Sequence, residues 1–399
     1  MKSFFGWVKS KLVLSLTYII LLAMAATIII YKQQSLIPGS NSYENSVVAS
    51  VQNYEYPWRN AVDAPYISAS WLLHKAGISE LRSARLITAV AYIFSVLMFY
   101  ELLRNWLLSP GKALVGTVLF ATSSWALALG RGAHSAMIGS FLLLLIFSLG
   151  TRLLFTTKPF LDWLLLISAS ALALYSPTVV WLVFVAGVVS VLHYKQRQRS
   201  LPLKLWQKFV VAGVGLILIT PLLMACIRNP EQILALLGVK DNIAHSIPEL
   251  TLNVADSVKA IFFSSNNMNV LGLGKLPMLN IFEMFMFLLG IYFFERRLSL
   301  KRSKLLFGGL TLGLVVCSMA GFDIMRLSLL LPLIYIFIAA GVHESISRWL
   351  AVFPKNPIAR ALGVFVIATA IGFTASYHLN RTFIARPGNP EIRQLYTQS

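Results

Sequence analysis

Apolar residues in this chain occur in long, nearly uninterrupted runs, separated by short polar connections. Several runs reach about 18 residues or more, the length at which an α-helix can cross the hydrocarbon core of a bilayer. A transmembrane β-barrel is excluded because its strands would alternate apolar and polar residues. We therefore predict an all-α polytopic membrane protein with about eleven transmembrane helices. The spans are expected at residues 12–31, 83–103, 113–129, 135–154, 161–175, 178–193, 209–226, 279–294, 305–322, 327–342 and 361–377.

Two connections are much longer than the others and cover residues 32–82 and 227–278. In the second, the apolar spacing at 233–237 and at 254–262 predicts short helices lying at the membrane interface. Residues 264–269 are expected to form a loop. We expect residues 1–399 to form a single transmembrane domain with no separate soluble domain.

Composition supports the membrane class, with 57% hydrophobic and only 12% charged residues. The formal net charge of +19 does not indicate nucleic-acid binding, because the basic residues lie mainly in short connections between spans. This pattern predicts that the basic connections are cytoplasmic. The amino terminus is then cytoplasmic, and the carboxyl terminus and both long connections are extracytoplasmic. We expect the first span to remain uncleaved and the protein to reside in the plasma membrane.

Cysteine and histidine spacing predicts no metal site. Cys226 and Cys317 both lie in apolar runs, where they are expected to act as small apolar side chains. No cofactor is predicted, although a divalent metal is left open.

Acidic side chains are rare, and several lie on the predicted external face. The first long connection alone holds Glu44, Glu55, Asp63 and Glu80 of the fifteen acids in the chain. Further along, three charged residues fall at predicted external turns, which marks them as site candidates or as internal pairs. These residues are Arg131, Asp323 and Arg326. Because Asp323 and Arg326 are three positions apart, they either pair with each other or bind a substrate.

Four short blocks, in this order, resemble the GT-C superfamily of integral-membrane glycosyltransferases. The branch most similar in pattern contains protein O-mannosyltransferases and lipid A aminoarabinose transferases. The blocks are residues 40–44 (SNSYE), residues 63–86 (beginning DAPY and ending SARL), residues 130–134 (GRGAH) and residues 326–332 (RLSLLLP).

The resemblance implies transfer of a sugar from a polyprenyl-phosphate donor to a hydroxyl of a lipid, glycan or protein acceptor on the extracytoplasmic face. Glu44 would be the general base, and Asp63 would orient the acceptor, tune Glu44 or replace it as the base. Arg131 and Arg326 would bind the donor phosphate. Further substrate-binding candidates are Tyr43, Arg59, Tyr66, Arg85, His134 and Asp323.

Two other functions stay open at this point. A transporter or flippase for a lipid-linked sugar would typically show internal repeats and binding residues at the membrane midplane. The third possibility is a catalytically inactive partner subunit, because the first block has one acid where family members have an acidic pair.

Overall fold

The computed structural model describes residues 2–33, 36–107, 110–153, 156, 159–192, 203–239, 243–264 and 271–397. The described residues form helices joined by turns, and no β-strand occurs among them. The prediction of an all-α chain is therefore confirmed. The predicted loop at 264–269 lies, beyond Ser264, outside the described residues.

The helices follow one another along the chain with short breaks. They are α1 (Lys2–Ile30), α2 (Ser42–Gln52), α3 (Ala64–Lys75), α4 (Glu80–Leu107), α5 (Pro110–Thr122), α6 (Ser124–Arg131), α7 (Ser135–Arg152), α8 (Pro159–Ala173), α9 (Val179–Leu192), α10 (Leu205–Arg228), α11 (Glu231–Leu236), α12 (Ile247–Phe262), α13 (Ile281–Glu295), α14 (Lys301–Ser318), α15 (Ile324–Leu327), α16 (Leu331–Val352), α17 (Pro357–Asn380), α18 (Arg386–Gly388) and α19 (Pro390–Thr397). A 3₁₀ turn (Ser328–Leu330) precedes α16, and a π-helical turn (Arg381–Ala385) follows α17.

Each predicted span falls mainly on helical residues, although residues 113–129 are divided between α5 and α6, and the count of eleven spans is not confirmed. Among the described residues, six helices are long and apolar enough to cross a membrane. The number rises to seven if α5 and α6, which are bent by 57°, form one broken span. Helices α8, α9 and α13 contain only 15, 14 and 15 residues.

Helix α16 lies at the centre of the bundle, with residues 331–342 buried. It packs closely against α13 because each helix presents a glycine to the other. A Cβ atom at Gly290 would lie 1.9 Å from the carbonyl oxygen of Phe337, and one at Gly341 would lie 1.9 Å from that of Met286. Small residues allow such close backbone approach between membrane helices.

A buried polar network ties four helices together around Glu283 on α13. Its carboxylate accepts a hydrogen bond from Tyr335 of α16 at 2.7 Å and lies 2.8 Å from Nε2 of His378 on α17. Nδ1 of His378 lies 3.0 Å from the hydroxyl of Ser124 on α6. All four side chains are buried. An ionisable group in an apolar bundle is costly unless it is paired, so this network accounts for an acid that the sequence left without a partner.

The two long connections contact each other and contain the short helices α2, α3, α11 and α12. The side-chain oxygen of Gln232 on α11 accepts a hydrogen bond from the backbone N–H of Ala61 at 2.7 Å. Its amide nitrogen donates to the carbonyl oxygen of Arg59 at 2.5 Å. The two connections therefore lie at the same end of the bundle.

The segment after α17 also packs against this end, which the sequence did not predict. Ile392 and Tyr396 of α19 are buried. The backbone of Tyr396 approaches Gly39, where an added Cβ would lie 2.3 Å from its carbonyl oxygen. Gly39 has φ +95°, a conformation that favours glycine.

Candidate functional site

Two adjoining cavities open where the long connections meet the bundle. Cavity A, of about 310 Å³, is lined by residues of α7, the turn between α8 and α9, and the start of α15. Cavity B, of about 250 Å³, is lined by α2, α3 and the residues before α7. The residues common to both walls are Tyr43, Asp63, Ser135, Ala136 and Met325.

Asp63 is held at the boundary of the two cavities by its backbone. Its N–H donates to the carbonyl oxygen of Tyr175 at 2.8 Å, which ties the first connection to the turn after α8. Asp63 has φ 52° and ψ 21°, a left-handed conformation that Asp tolerates better than most residues. Helix α3 begins immediately afterwards, with Pro65 in its first turn. The carboxylate is thus presented to both cavities from a fixed backbone.

The electrostatic environment of Asp63 disfavours its charged form. Burial raises its pKa to about 6, against the opposing effect of a side-chain hydrogen bond with Ser135. No ion pair to Asp63 occurs in the part of the chain that the structure describes. A carboxylate with this pKa is mostly ionised at neutral pH and can accept a proton.

Glu44 has a different environment, in which its oxygens are already bonded. Nε and Nη2 of Arg85 donate to the two carboxylate oxygens at 2.8 and 2.7 Å, and the N–H of Ala133 donates to one of them at 2.8 Å. Glu44 also forms a capping box with Asn41 at the start of α2. Burial opposes ionisation, but the hydrogen bond and charge of Arg85 outweigh it and lower the pKa of Glu44. Glu44 is fully buried and lines neither cavity A nor cavity B.

Arg131 lies at the carboxyl end of α1 rather than at the two cavities. Its Nη1 donates to the carbonyl oxygens of Ile28 and Ile29, both at 3.0 Å, and its Nη2 donates to that of Tyr31 at 2.8 Å. A cation here bonds carbonyls that have no partner within the helix and complements the helix dipole. Arg131 and Arg85 line a separate small cavity of about 40 Å³.

Arg326 lines cavity A together with its ion-pair partner. Its Nε lies 3.2 Å from Oδ2 of Asp323, and its Nη1 donates to the carbonyl oxygen of Ala320 at 3.3 Å. Oδ1 of Asp323 accepts from the N–H of Met325 at 2.9 Å and from the hydroxyl of Tyr43 at 3.4 Å. The pairing of Asp323 and Arg326 allowed by the sequence is therefore present, and both residues face the cavity.

Two helix N-termini also reach cavity A. Ser135 begins α7, and Thr178 immediately precedes α9; both residues line the cavity. The N-terminus of a helix carries partial positive charge and free N–H groups, which favour a bound anion. Cavity A therefore combines a guanidinium group, which is paired with Asp323, with two helix N-termini and the carboxylate of Asp63.

His134 contributes a neutral ring to cavity B. The side chain is 3% exposed, and neither ring nitrogen has a hydrogen-bond partner among the described residues. Burial lowers the pKa of His134 to about 4, although nearby Glu44 acts in the opposite direction. The neutral imidazole carries one donor and one acceptor nitrogen, and both nitrogens are buried.

The remaining sequence candidates lie outside cavities A and B. The Tyr66 hydroxyl is buried and donates to the carbonyl oxygen of Ala84 at 3.4 Å. The Arg59 side chain is exposed, and the carbonyl oxygen of Arg59 accepts a hydrogen bond from Gln232. Arg85 is committed to Glu44 and to the carbonyl oxygen of Gly39.

Sequence analysis missed the turn that closes cavity A. Thr178 has φ 64°, and its N–H donates to the carbonyl oxygen of Leu236 at 2.9 Å. Opposite it, Gly238 has φ +75°, and an added Cβ would lie 2.2 Å from Cγ2 of Thr178. The only sequence signals were Pro177 and this glycine, which indicate turns without indicating that the turns meet. No group of three or more His, Cys, Asp or Glu side chains suited to a metal ion occurs within the described ranges.

Comparison with known proteins gives similarity in structure but not in sequence. No family model and no curated protein matches the chain. Its fold is similar to that of the archaeal oligosaccharyltransferase AglB from Archaeoglobus fulgidus, solved with an inhibitory peptide and a dolichol-phosphate. That match has a TM-score of 0.57 and 12% identity, and it covers 97% of this chain and 59% of AglB. The chain thus spans less than two thirds of the length of AglB.

ArnT from Cupriavidus metallidurans is also similar. The apo form matches with a TM-score of 0.54 and 10% identity over 99% of this chain and 75% of ArnT. The form bound to undecaprenyl phosphate matches with a TM-score of 0.53 and 11% identity over 96% of this chain and 78% of ArnT. The chain therefore has a fold similar to those of AglB and ArnT, and at these identities the likeness concerns the fold alone.

Proposed function

We propose that this protein is a membrane glycosyltransferase that moves a sugar from a polyprenyl-phosphate donor to an acceptor hydroxyl. The observation that carries the proposal is the position of Asp63, whose carboxylate lies where cavity A meets cavity B. A base for glycosyl transfer must contact the acceptor hydroxyl while the donor sugar lies next to it. The two similar structures with bound dolichol-phosphate and undecaprenyl phosphate support a lipid-phosphate donor.

Cavity A is the proposed donor site. Its guanidinium, Arg326, can bind phosphate oxygens, and the N-termini of α7 and α9 add positive potential. This charge would stabilise the phosphate as it leaves, when its negative charge increases. The isoprenoid chain would extend between the apolar helices.

Cavity B is the proposed acceptor site. The acceptor oxygen attacks the anomeric carbon of the donor sugar, while the bond from that carbon to the phosphate oxygen breaks. The acceptor proton passes to the Asp63 carboxylate, and the lipid phosphate leaves as an anion. Attack from the face opposite the leaving group inverts the anomeric configuration.

In this proposal Asp63 is the base, and Glu44 is a positioning residue. The Glu44 oxygens are occupied by Arg85 and the N–H of Ala133, so a proton transfer there would first break an ion pair. Glu44 instead links α4 to α2 and to the segment before α7, and residues of α2 and of that segment line cavity B. Arg131 has the corresponding role at the end of α1, where its donors are bonded to carbonyl oxygens.

We further propose that the cavities face the extracytoplasmic side of a plasma membrane. The distribution of Lys and Arg among the connections supports this orientation, with a cytoplasmic amino terminus and an extracytoplasmic carboxyl terminus.

The test is transfer from a radiolabelled polyprenyl-phosphate sugar by the purified protein in lipid nanodiscs. Asp63→Asn keeps the shape of the side chain but removes the base, so turnover should fall about 10²–10⁴-fold, the usual span for general-base catalysis. Binding of undecaprenyl phosphate should change little. Product is measured by chromatography and donor affinity by titration.

Asp256→Asn is the matched control, because this acid is exposed on α12 and lines neither cavity. Its turnover should equal that of the unmodified protein. Normal turnover in Asp63→Asn would contradict the assignment of the base. Movement of the labelled donor across liposomes without any transfer would instead establish a flippase.

A further inference from the structure

A third cavity continues from cavity B along the first long connection. Cavity C, of about 270 Å³, shares Ser50, Asn60, Val62 and Ile67 with cavity B. Cavity B therefore adjoins both cavity A, with which it shares Asp63, and cavity C. Cavities B and C are each slightly smaller than the roughly 300 Å³ at which pockets for drug-sized ligands begin. Each has room for a group about the size of one sugar ring.

The walls of cavities B and C contain polar groups but no Lys or Arg among the described residues. Hydroxyls and amides line them, with carboxylates at Asp63 and Glu55. The uncharged polar residues include Ser46, Ser50, Asn53, Asn60 and His134. Cavity A, by contrast, contains Arg326. A phosphorylated headgroup would meet no counter-charge in cavities B and C, whereas a neutral polyhydroxylated molecule would find donors and acceptors.

His134 is the independent sign of a ligand. His134 is only 3% exposed and lines cavity B. Neither of its ring nitrogens has a hydrogen-bond partner among the described residues. Buried polar groups are normally hydrogen-bonded, so an unpaired buried ring next to a cavity calls for a partner. A neutral ring that both donates and accepts complements a sugar hydroxyl, which does the same.

The segment that lines cavity C also carries exposed aromatic rings. Tyr56 and Trp58 are 51% and 39% exposed, and their rings stack with centroids 4.5 Å apart and planes inclined by 2°. Tyr54 stacks on Trp71 of α3, with centroids also 4.5 Å apart. Flat, preordered aromatic faces can pack against the C–H face of a sugar ring at little conformational cost.

We propose that the acceptor is a neutral glycan of at least two sugar units, lying in cavities B and C with its outer unit against Tyr56 and Trp58. This inference rests on the proposed function and specifies its acceptor. His134 binds a hydroxyl of the sugar nearest Asp63. The residues around Asn53, Glu55 and Asn60 bind the next unit.

Binding is tested separately from transfer. Fluorescently labelled protein in nanodiscs, carrying Asp63→Asn, is applied to an array of neutral and phosphorylated glycans. Neutral glycans of two or more units should be retained, and the matching monosaccharides should bind at least tenfold more weakly. Retention of phosphorylated glycans alone, or of no glycan, would overturn the inference.

Side-chain variants then locate the bound glycan. Trp58→Ala and Tyr56→Ala should each weaken glycan binding about two- to tenfold, the range expected for one lost aromatic contact. His134→Ala should weaken it about tenfold, and His134→Gln should restore part of it because the amide both donates and accepts. The control is Trp206→Ala, another exposed indole, which lies on α10 and lines none of the three cavities. Equal effects of Trp58→Ala and Trp206→Ala would indicate membrane anchoring and reject the glycan contact.

The transfer assay separates the two proposals. If sugar is transferred to a phospholipid or a peptide but not to the retained glycans, the glycan acceptor is rejected. The proposed glycosyltransferase activity is then still supported. If glycans bind but no acceptor receives sugar, the proposed glycosyltransferase activity is rejected, whereas the glycan-binding site is supported.

Discussion

Glu44 and Asp63 belong to the same long connection, and the protein uses the two carboxylates in opposite ways. Glu44 is buried and receives hydrogen bonds from Arg85 and the N–H of Ala133, so its charge is stabilised in place. Asp63 is half-buried, lacks an ion-pair partner among the described residues and borders two cavities. A carboxylate with all its lone pairs bonded supports the structure, whereas one with unused capacity can take part in a reaction. The following predictions test this contrast.

The largest expected effect is on stability at Glu44. Glu44→Gln removes the negative charge and leaves Arg85 buried without a counter-charge. Breaking one partner of a buried ion pair typically costs about 3–5 kcal/mol. We expect a loss of this size in the free energy of unfolding, measured by chemical denaturation in detergent micelles.

Asp63→Asn should not lower the free energy of unfolding when it is measured in the same experiment. Burial raises the folded-state pKa of Asp63 to about 6, so the fold loses stability as the pH rises above the usual pKa of an aspartate, and the full cost is present above about pH 6. The amide removes this cost, and the stability at pH 7.5 should be unchanged or higher. A stability loss at Asp63 as large as that at Glu44 would remove the distinction between the two acids.

The next effect concerns the two arginines. Arg326→Ala should weaken binding of undecaprenyl phosphate about 10- to 100-fold, because a hydrogen bond to a charged group contributes about 1.5–3 kcal/mol. Arg326→Lys should recover only part of this affinity, since Lys lacks the planar fork.

Arg131→Ala should lower stability while leaving the affinity for undecaprenyl phosphate nearly unchanged, because the N–H groups of Arg131 are bonded to carbonyl oxygens at the end of α1.

Asp323→Ala is the control for the ion pair at Arg326. If Arg326 only pairs with Asp323, both alanine variants should have the same donor affinity. A titration with undecaprenyl phosphate in nanodiscs distinguishes these outcomes.

The dependence of activity on pH gives a third, smaller effect. The base must be ionised, and the pKa of Asp63 is about 6, so kcat/KM should fall about tenfold between pH 7 and pH 5. Glu44 does not contribute to this change, because its pKa is lowered and it stays ionised throughout. Initial rates at fixed ionic strength measure the profile. A flat profile from pH 5 to pH 7 would contradict Asp63 as the base.

The smallest expected effect is on stability when the hydrogen bonds that hold the segment before Asp63 are removed. Gln232→Ala removes the hydrogen bonds to the backbone of Ala61 and Arg59. The free energy of unfolding should fall by about 1 kcal/mol for each bond lost. Hydrogen exchange at the N–H of Ala61 should become faster, whereas exchange in the core of α16 should not change. Unchanged protection of Ala61 would show that the two connections are held together by other contacts.

Several elements were predictable because their signal is local. The apolar runs marked the positions of the helices, and the spacing within residues 227–278 indicated the short helices α11 and α12. The capping box at Asn41 and Glu44 is also a local pattern, although the sequence reading assigned Glu44 to chemistry. The bend between α5 and α6 was not predicted, because the apolar run continues through it.

The sequence alone determined that the chain crosses a membrane and that several of its scarce acids lie in the two long connections. These properties follow from the cost of transferring polar groups into hydrocarbon, which depends on each residue and its near neighbours. Only the tertiary structure decided which acid is paired. Glu44 meets Arg85 from 41 residues away, and Asp63 is fixed through Tyr175 of a different connection. Hydrogen bonds of this kind depend on distances of about 3 Å between segments remote in sequence, which a pattern of residue types does not contain.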